Sequence, residues 1–197
     1  MMTNSFDPVI ETLRAIDPTF ASVPHLVERT RTAAFVNAEG FRVEFLSPNR
    51  GSDDNQTGLT TLPSAGGASG VPLRYLDYLI ETPDRSVLLH GSGIPVLVPR
   101  PERFAVHKLM VSSMRRDEAK ATKDARQAAF LFAALIPYRE HDLREALSDA
   151  ADRGEGWRDA ISKGLSRQDE DVASLVLDGM GRDVARHADR TTARGQA

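Results

Sequence analysis

Six residues in the middle of the chain carry most of its readable chemistry: His107, Lys108, Arg115, Arg116, Lys123 and Asp124. Lys108 and Arg115 lie two helical turns apart, so on one continuous helix they share a face, with Ser112 between them. An ammonium and a guanidinium held side by side suit phosphate oxygens. Lys123-Asp124 opens the next helix across a short turn, near enough for Asp124 to pair with one of the arginines. The same pattern also reads as a solvated face closed by an internal salt bridge, as surface charge runs usually are, and both readings stand at this point. His107 has no partner visible in the sequence and reads as a helix-packing residue.

Glu44 stands in Arg42-Val43-Glu44-Phe45-Leu46, a strand pattern that puts Phe41, Val43 and Phe45 on one face and Arg42, Glu44 and Leu46 on the other. A carboxylate there is either solvent-facing or one oxygen ligand of a divalent cation. One glutamate cannot hold the pair of ions that two-metal phosphoryl chemistry uses. Gly91-Ser92-Gly93 invites a phosphate-loop reading, yet it sits between two strands and opens no helix, so a hairpin turn is expected. His25, His90 and His141 lack metal-ligand spacing, and no Gly-x-Ser-x-Gly motif occurs.

The elements that must position these residues fall into two styles. Up to Pro99 the pattern is short and strand-like. A helix is expected over Ser5 to Ile16, with Ser5 and Asp7 as caps and Pro8 early in the first turn. Phe20 to Arg31 is ambiguous because Pro24 interrupts it. Thr32 to Asn37 and Phe41 to Leu46 read as a hairpin around Gly40, and Pro48 to Pro72, with the small-residue run Ser64 to Gly70, reads as a long flexible loop. A short helix over Leu73 to Glu81 and a second strand pair, Val87 to His90 and Ile94 to Val98, follow. From Pro101 the apolar period becomes helical: one helix carries Phe104, Leu109 and Val111, and a second runs through Phe132 and Leu135 to a stop at Pro137. Weaker helices are expected over 140–152, 156–165 and 169–180, with Trp157 as their packing anchor, and residues 182–197 read as a disordered tail.

The chain has 197 residues and a formal net charge of -3, enough length for one core with a satellite and no global basic field. It contains no cysteine, which excludes disulfides, thiolate metal sites and cysteine nucleophiles. Neither a membrane-spanning run nor a signal peptide is visible, so a cytoplasmic, membrane-free protein is expected.

Several phrases together resemble a bacterial group of nucleotidyltransferase-fold proteins with DNA polymerase beta-like topology. They are Leu13-Arg14-Ala15-Ile16-Asp17-Pro18-Thr19-Phe20, Gly40 through Pro48, Leu76-Asp77-Tyr78-Leu79-Ile80, Val87 through Pro99, and above all Pro101 through Leu109 with the downstream Lys123-Asp124. The resemblance implies Mg2+-dependent transfer of a nucleotidyl group from an NTP to an acceptor it does not identify. It makes Glu44 the metal-linked catalytic carboxylate, and it assigns Lys108 and the Lys123-Asp124 pair to the helical motif that faces nucleotide or acceptor; Arg115 and Arg116 join them as candidate nucleotide- or acceptor-binding residues from the basic patch itself. The Gly-Ser turn and the Asp-x-Asp strand that such enzymes carry have no counterpart before Phe41. The chain is therefore expected to be an N-terminally truncated member, inactive alone. A noncatalytic nucleotide- or RNA-binding module and a protein-interaction subunit are the alternatives. The expected fold is α+β: residues 1–99 form a partial, mostly antiparallel sheet with a flexible loop over 48–72, and residues 100–181 form a helical subdomain.

Overall fold

The computed structural model describes residues 8–25, 28–49, 58–66 and 68–180. The chain divides into two compact units, Met1–Asp77 and Tyr78–Ala197.

In the first unit, helix α1 (Val9–Ile16) begins on Pro8, whose φ of -54° already suits a helix, and ends at Asp17. Asp17 accepts hydrogen bonds from the Thr19 amide (2.9 Å), the Thr19 hydroxyl (2.7 Å) and Asn37 Nδ2 (2.8 Å), so one carboxylate stops the helix and ties it to the following hairpin. Those donors, Thr19 foremost, hold its pKa below the ordinary aspartate value.

Strands β1 (Ala21–Pro24), β2 (Thr32–Val36) and β3 (Arg42–Glu44) form an antiparallel sheet in that order. β1 lies in the segment that the sequence left ambiguous. Pro24 is tolerated because it ends an edge strand where the register slips. The β2–β3 hairpin is as expected, with Gly40 at φ +83° and the Phe41 amide donating to Asn37 Oδ1 at 2.7 Å. Ala33, Ala34 and Phe35 of β2 are buried, and the Phe35 ring meets Phe45 edge-on at 6.0 Å.

The run expected as one strand over Phe41 to Leu46 divides at Phe45. Its amide donates to Ala33 of β2 while its carbonyl accepts from Val71, so the chain crosses there from the first sheet to a second. That second sheet contains β4 (Leu46–Pro48), β5 (Thr60–Thr61) and β6 (Ser69–Leu73), with β6 central, parallel to β4 and antiparallel to β5.

The expectation of loop throughout Pro48 to Pro72 is thus corrected in its described part. Of Ser64 to Gly70, Ser64 and Ala65 lie in a short 3-10 turn (Pro63–Ala65), and Ser69 and Gly70 are the buried first residues of β6. The small residues serve close approach: a Cβ on Gly70 would lie 3.0 Å from the Ser47 Cβ and 3.2 Å from the Leu46 carbonyl carbon. Arg31 fastens the segment by donating to Thr61 Oγ1 at 2.7 Å and Ser69 Oγ at 3.2 Å. Residues 50–57 of the expected loop, and the expected tail 182–197, lie outside the described residues.

Helix α2 (Leu76–Ile80) spans the division between the units. The second unit continues with an antiparallel hairpin, β7 (Asp84–Leu88) and β8 (Ile94–Val98), and then with α3 (Pro101–Ser112), α4 (Glu118–Asp152), α5 (Glu155–Leu165) and α6 (Glu170–Met180). α3 packs mainly on α4, joining fully buried Ala105, Val106, Leu109 and Met110 to Ala121, Ala128 and Phe132. Tyr78 is enclosed in this core, its hydroxyl donating to the Ala146 carbonyl at 2.9 Å and its ring meeting Trp157 edge-on at 5.7 Å.

The stop expected at Pro137 is a kink inside α4. Proline lacks the N–H that would close the ladder there, and two residues later Arg139 leaves helical geometry (φ -139°, ψ 35°) before the helix resumes. α5 comes so close to α3 that a Cβ on Gly164 would lie 2.3 Å from the Leu109 carbonyl oxygen.

Candidate functional site

Pro101 fixes the first turn of α3, and the apolar stripe of that helix sets which residues face α4. Lys108 emerges beside the stripe, and Asp117 caps the start of α4 by accepting from the Lys120 amide at 3.2 Å. This turn brings Asp124 opposite Lys108. Lys108 Nζ lies 2.7 Å from Asp124 Oδ1 and Arg115 Nε lies 2.9 Å from Oδ2, so one buried carboxylate holds both cations, one on each oxygen.

Burial alone would raise the Asp124 pKa. The hydrogen bonds from Lys108 and Arg115, reinforced by their charges, outweigh it and hold the carboxyl below its ordinary value. The fork carries a net positive charge. Its two cations differ in access, with the Lys108 side chain 17% exposed and Arg115 41% exposed.

Two residues expected in this cluster stand apart from the carboxylate. Arg116 and Lys123 are exposed and form no ion pair among the described residues. Lys123 lines a shallow groove of about 540 Å3 on the outer face of α4 with Thr122, Arg126 and Gln127. Ser112, expected on the face shared by Lys108 and Arg115, is fully buried and donates to the Leu109 carbonyl at 2.7 Å. His107 is buried in α3, in keeping with a packing role. Gly91-Ser92-Gly93 forms the β7–β8 turn, with Gly91 and Gly93 both at positive φ and the Gly93 amide donating to the His90 carbonyl at 3.0 Å.

Glu44 lies on β3 in the first unit. Its carboxylate pairs with Arg42 at 3.2 Å, and both side chains are about half exposed, 46% and 50%. Among the described residues no three His, Asp or Glu side chains come together to hold a metal. Magnesium takes near-octahedral oxygen ligation, and paired ions need several converging carboxylates. Among the described residues, the donor set at Glu44 does not fit such a pair.

The sequence reading missed a second charged assembly, in a cleft of about 520 Å3 in the second unit. Glu102, 1% exposed, faces Arg139 Nε at 2.7 Å and Arg100 Nε at 3.7 Å, and both arginines also reach Asp142. Neither Glu102 oxygen receives a well-aligned hydrogen bond, so charge pairing holds it. Alongside, Arg103 and Arg153 share Glu81 and Asp149 and stack over the Tyr78 ring. The acids Asp142, Glu145, Asp149 and Asp152 recur at helical spacing and were findable in the sequence. The reach of Arg139 depends on the kink and was not.

A nucleotidyltransferase family model matches residues 1–152, which include Glu44, the Lys108–Asp124–Arg115 fork and most of α4. The chain belongs to this nucleotidyltransferase family. No curated protein and no solved structure matches it. Among the described residues no helix is long and apolar enough to cross a membrane.

Proposed function

We propose that the second unit supplies the helical surface on which a nucleotidyltransferase holds the phosphates of an NTP or of its acceptor, and that this chain alone does not carry out the Mg2+-dependent transfer. The observation that carries the reading is the fork itself: Asp124 fixes Lys108 and Arg115 side by side, and Arg115 keeps accessible surface. A phosphate oxygen approaching from solvent meets Arg115, the more exposed of the two cations, first. Asp124 restrains the two cations before the ligand arrives, which lowers the entropy lost on binding. Inactivity alone is supported by Glu44, which pairs with Arg42 and belongs to no group of three or more metal-ligating side chains among the described residues. The charge of a transferring phosphoryl group then lacks the neutralisation its transition state needs.

The same observation favours a noncatalytic nucleotide- or RNA-binding module as the second reading. Titration with ATP, GTP and a short RNA, beside incubation with labelled NTPs, Mg2+ or Mn2+ and a panel of RNA and protein acceptors, separates the two. Binding that weakens about tenfold or more in Arg115→Ala, consistent with loss of a charge-assisted hydrogen bond, supports the phosphate surface. Binding unchanged in that variant, or absent from the parent chain, removes it. Robust label transfer that Glu44→Gln leaves unchanged refutes both the inactivity and the metal role of Glu44.

A further inference from the structure

The charged cleft of the second unit is unbalanced. Glu102 and Asp142 share Arg139 and Arg100, and Glu81 and Asp149 share Arg103 and Arg153, so each group of four is neutral. Two more carboxylates, Glu145 and Asp152, line the same cleft, and neither enters an ion pair among the described residues. A volume of about 520 Å3, in the range of small-molecule sites, is thus left with a surplus of negative charge.

Glu102 sharpens the chemistry of that surplus. It is 1% exposed and lines the cleft, yet neither of its oxygens receives an aligned hydrogen bond. Arg139 neutralises it, while Arg100 stands 3.7 Å from it and 3.8 Å from Asp142, beyond hydrogen-bond reach of either. The charge of Glu102 is matched and its acceptor capacity is not, which is costly for a buried carboxylate. A group rich in N–H donors, set between Glu102 and Asp142, supplies what Arg100 does not.

We propose that this cleft binds a linear aliphatic polyamine, laid along α4 with ammonium groups at Asp152, at Glu145 and, innermost, between Asp142 and Glu102 in place of Arg100. Asp142, Glu145, Asp149 and Asp152 recur three or four residues apart on the last turns of α4, beyond the kink, and so share one face. Glu145 and Asp152 stand roughly 10 Å apart along the axis at 1.5 Å per residue, so one compact cation serves only one of them, whereas ammoniums strung on methylenes serve both. Among the described residues no three His, Asp or Glu side chains converge to hold a metal. The arginines of the cleft are each engaged by acids, which disfavours an anion. An ammonium carries three donors and no acceptor, and the unmatched groups here are all acceptors.

The experiment is calorimetric titration of the whole chain with spermine at low salt. One saturable site is expected, weakened by added salt, with putrescine at least about tenfold weaker because it has two ammoniums only. Glu145→Gln and Asp152→Asn, at exposed positions, should each weaken spermine about fivefold or more with unchanged circular dichroism, and the double variant should no longer gain melting temperature from spermine. Arg100→Gln should tighten binding, since it removes the guanidinium that the inner ammonium displaces; weaker binding in that variant overturns the inner position. Glu140→Gln, which removes a carboxylate of the same helix outside the cleft, should leave the affinity unchanged. So should Arg115→Ala, which keeps this site separate from the phosphate surface. Absence of saturable binding overturns the proposal. So does a loss in Glu140→Gln equal to that in Glu145→Gln, which means diffuse attraction to acidic surface, or full displacement of spermine by an equal concentration of Mg2+, which means a site for any small cation.

Discussion

Arg139 reaches the buried Glu102, Nε to Oε1 at 2.7 Å, because Pro137 has broken the helix two residues earlier. A straight α4 would carry the Arg139 backbone on in helical geometry, with its side chain aimed elsewhere. The kink and the ion pair are therefore coupled.

Removing Arg139 should cost more than removing the charge it neutralises. Arg139→Ala leaves Glu102 with only Arg100, at 3.7 Å. It should destabilise the protein by about 3 kcal/mol, the low end of the range for breaking a buried pair. Glu102→Gln should cost less, and the double variant less than the sum of the two. Urea unfolding of the four proteins measures this, and additive losses would show that the two residues do not act together.

Asp124 sets a pH dependence of known sign. Its folded-state pKa lies below the unfolded value. The stabilisation it contributes is therefore fully present above about pH 4, the ordinary aspartate range, and is lost as the pH falls through the lower folded value. The stability gap between the parent chain and Asp124→Asn should stay constant from neutral pH down to about pH 5 and close only below about pH 4. A gap that closes on going from pH 7 to pH 5 would contradict the pairing.

Lys108 and Arg115 should separate when stability is measured. Lys108 is the less exposed cation, so Lys108→Ala should lower stability by about 1–2 kcal/mol and Arg115→Ala by under about 1 kcal/mol. The reverse order in thermal or denaturant unfolding would show that Arg115 is the main structural partner of Asp124.

Gly164→Ala decides between two opposed effects. Alanine favours an exposed helix interior by about 1 kcal/mol over glycine, but here its Cβ would fall 2.3 Å from the Leu109 carbonyl oxygen. Overpacking of about 1–3 kcal/mol or more must win, giving a net loss with a lower melting temperature. A rise would show that α5 and α3 can separate at no cost.

How far this was legible in the sequence depends on the range of the interactions. α3, the β2–β3 hairpin and the fourth-residue spacing of apolar positions in α4 follow from local periodicity and turn residues and stood in the sequence; of the second hairpin, Ile94–Val98 and the glycine turn did, whereas β7 runs over Asp84–Leu88 and not over the expected Val87 to His90. The Asp124 pairing was anticipated for an arginine, because a short turn between helices leaves little freedom. Strand β6 was hidden because glycine and serine in a strand look like loop, and only the backbone of β4 shows why a side chain is excluded there. Arg139 and Glu102 are far apart in sequence, joined by a kink whose direction no periodicity states. The expected carboxylates around Glu44 could not be judged from pattern at all, since convergence is a property of the folded chain.

The β7–β8 hairpin has a consequence for how the protein behaves in a tube. Val87, Leu88, Leu89, Ile94 and Leu97 are exposed, Leu89 almost completely at 95%, on a ribbon of only two strands. Pro95 interrupts the donors of β8, whereas β7 has no proline among Asp84 to Leu88. An unsatisfied β7 edge beside a Val-Leu-Leu run is the template on which misfolded neighbours stack. Charged substitutions at Leu89 or Leu97, which are exposed, should therefore slow aggregation with little change in melting temperature.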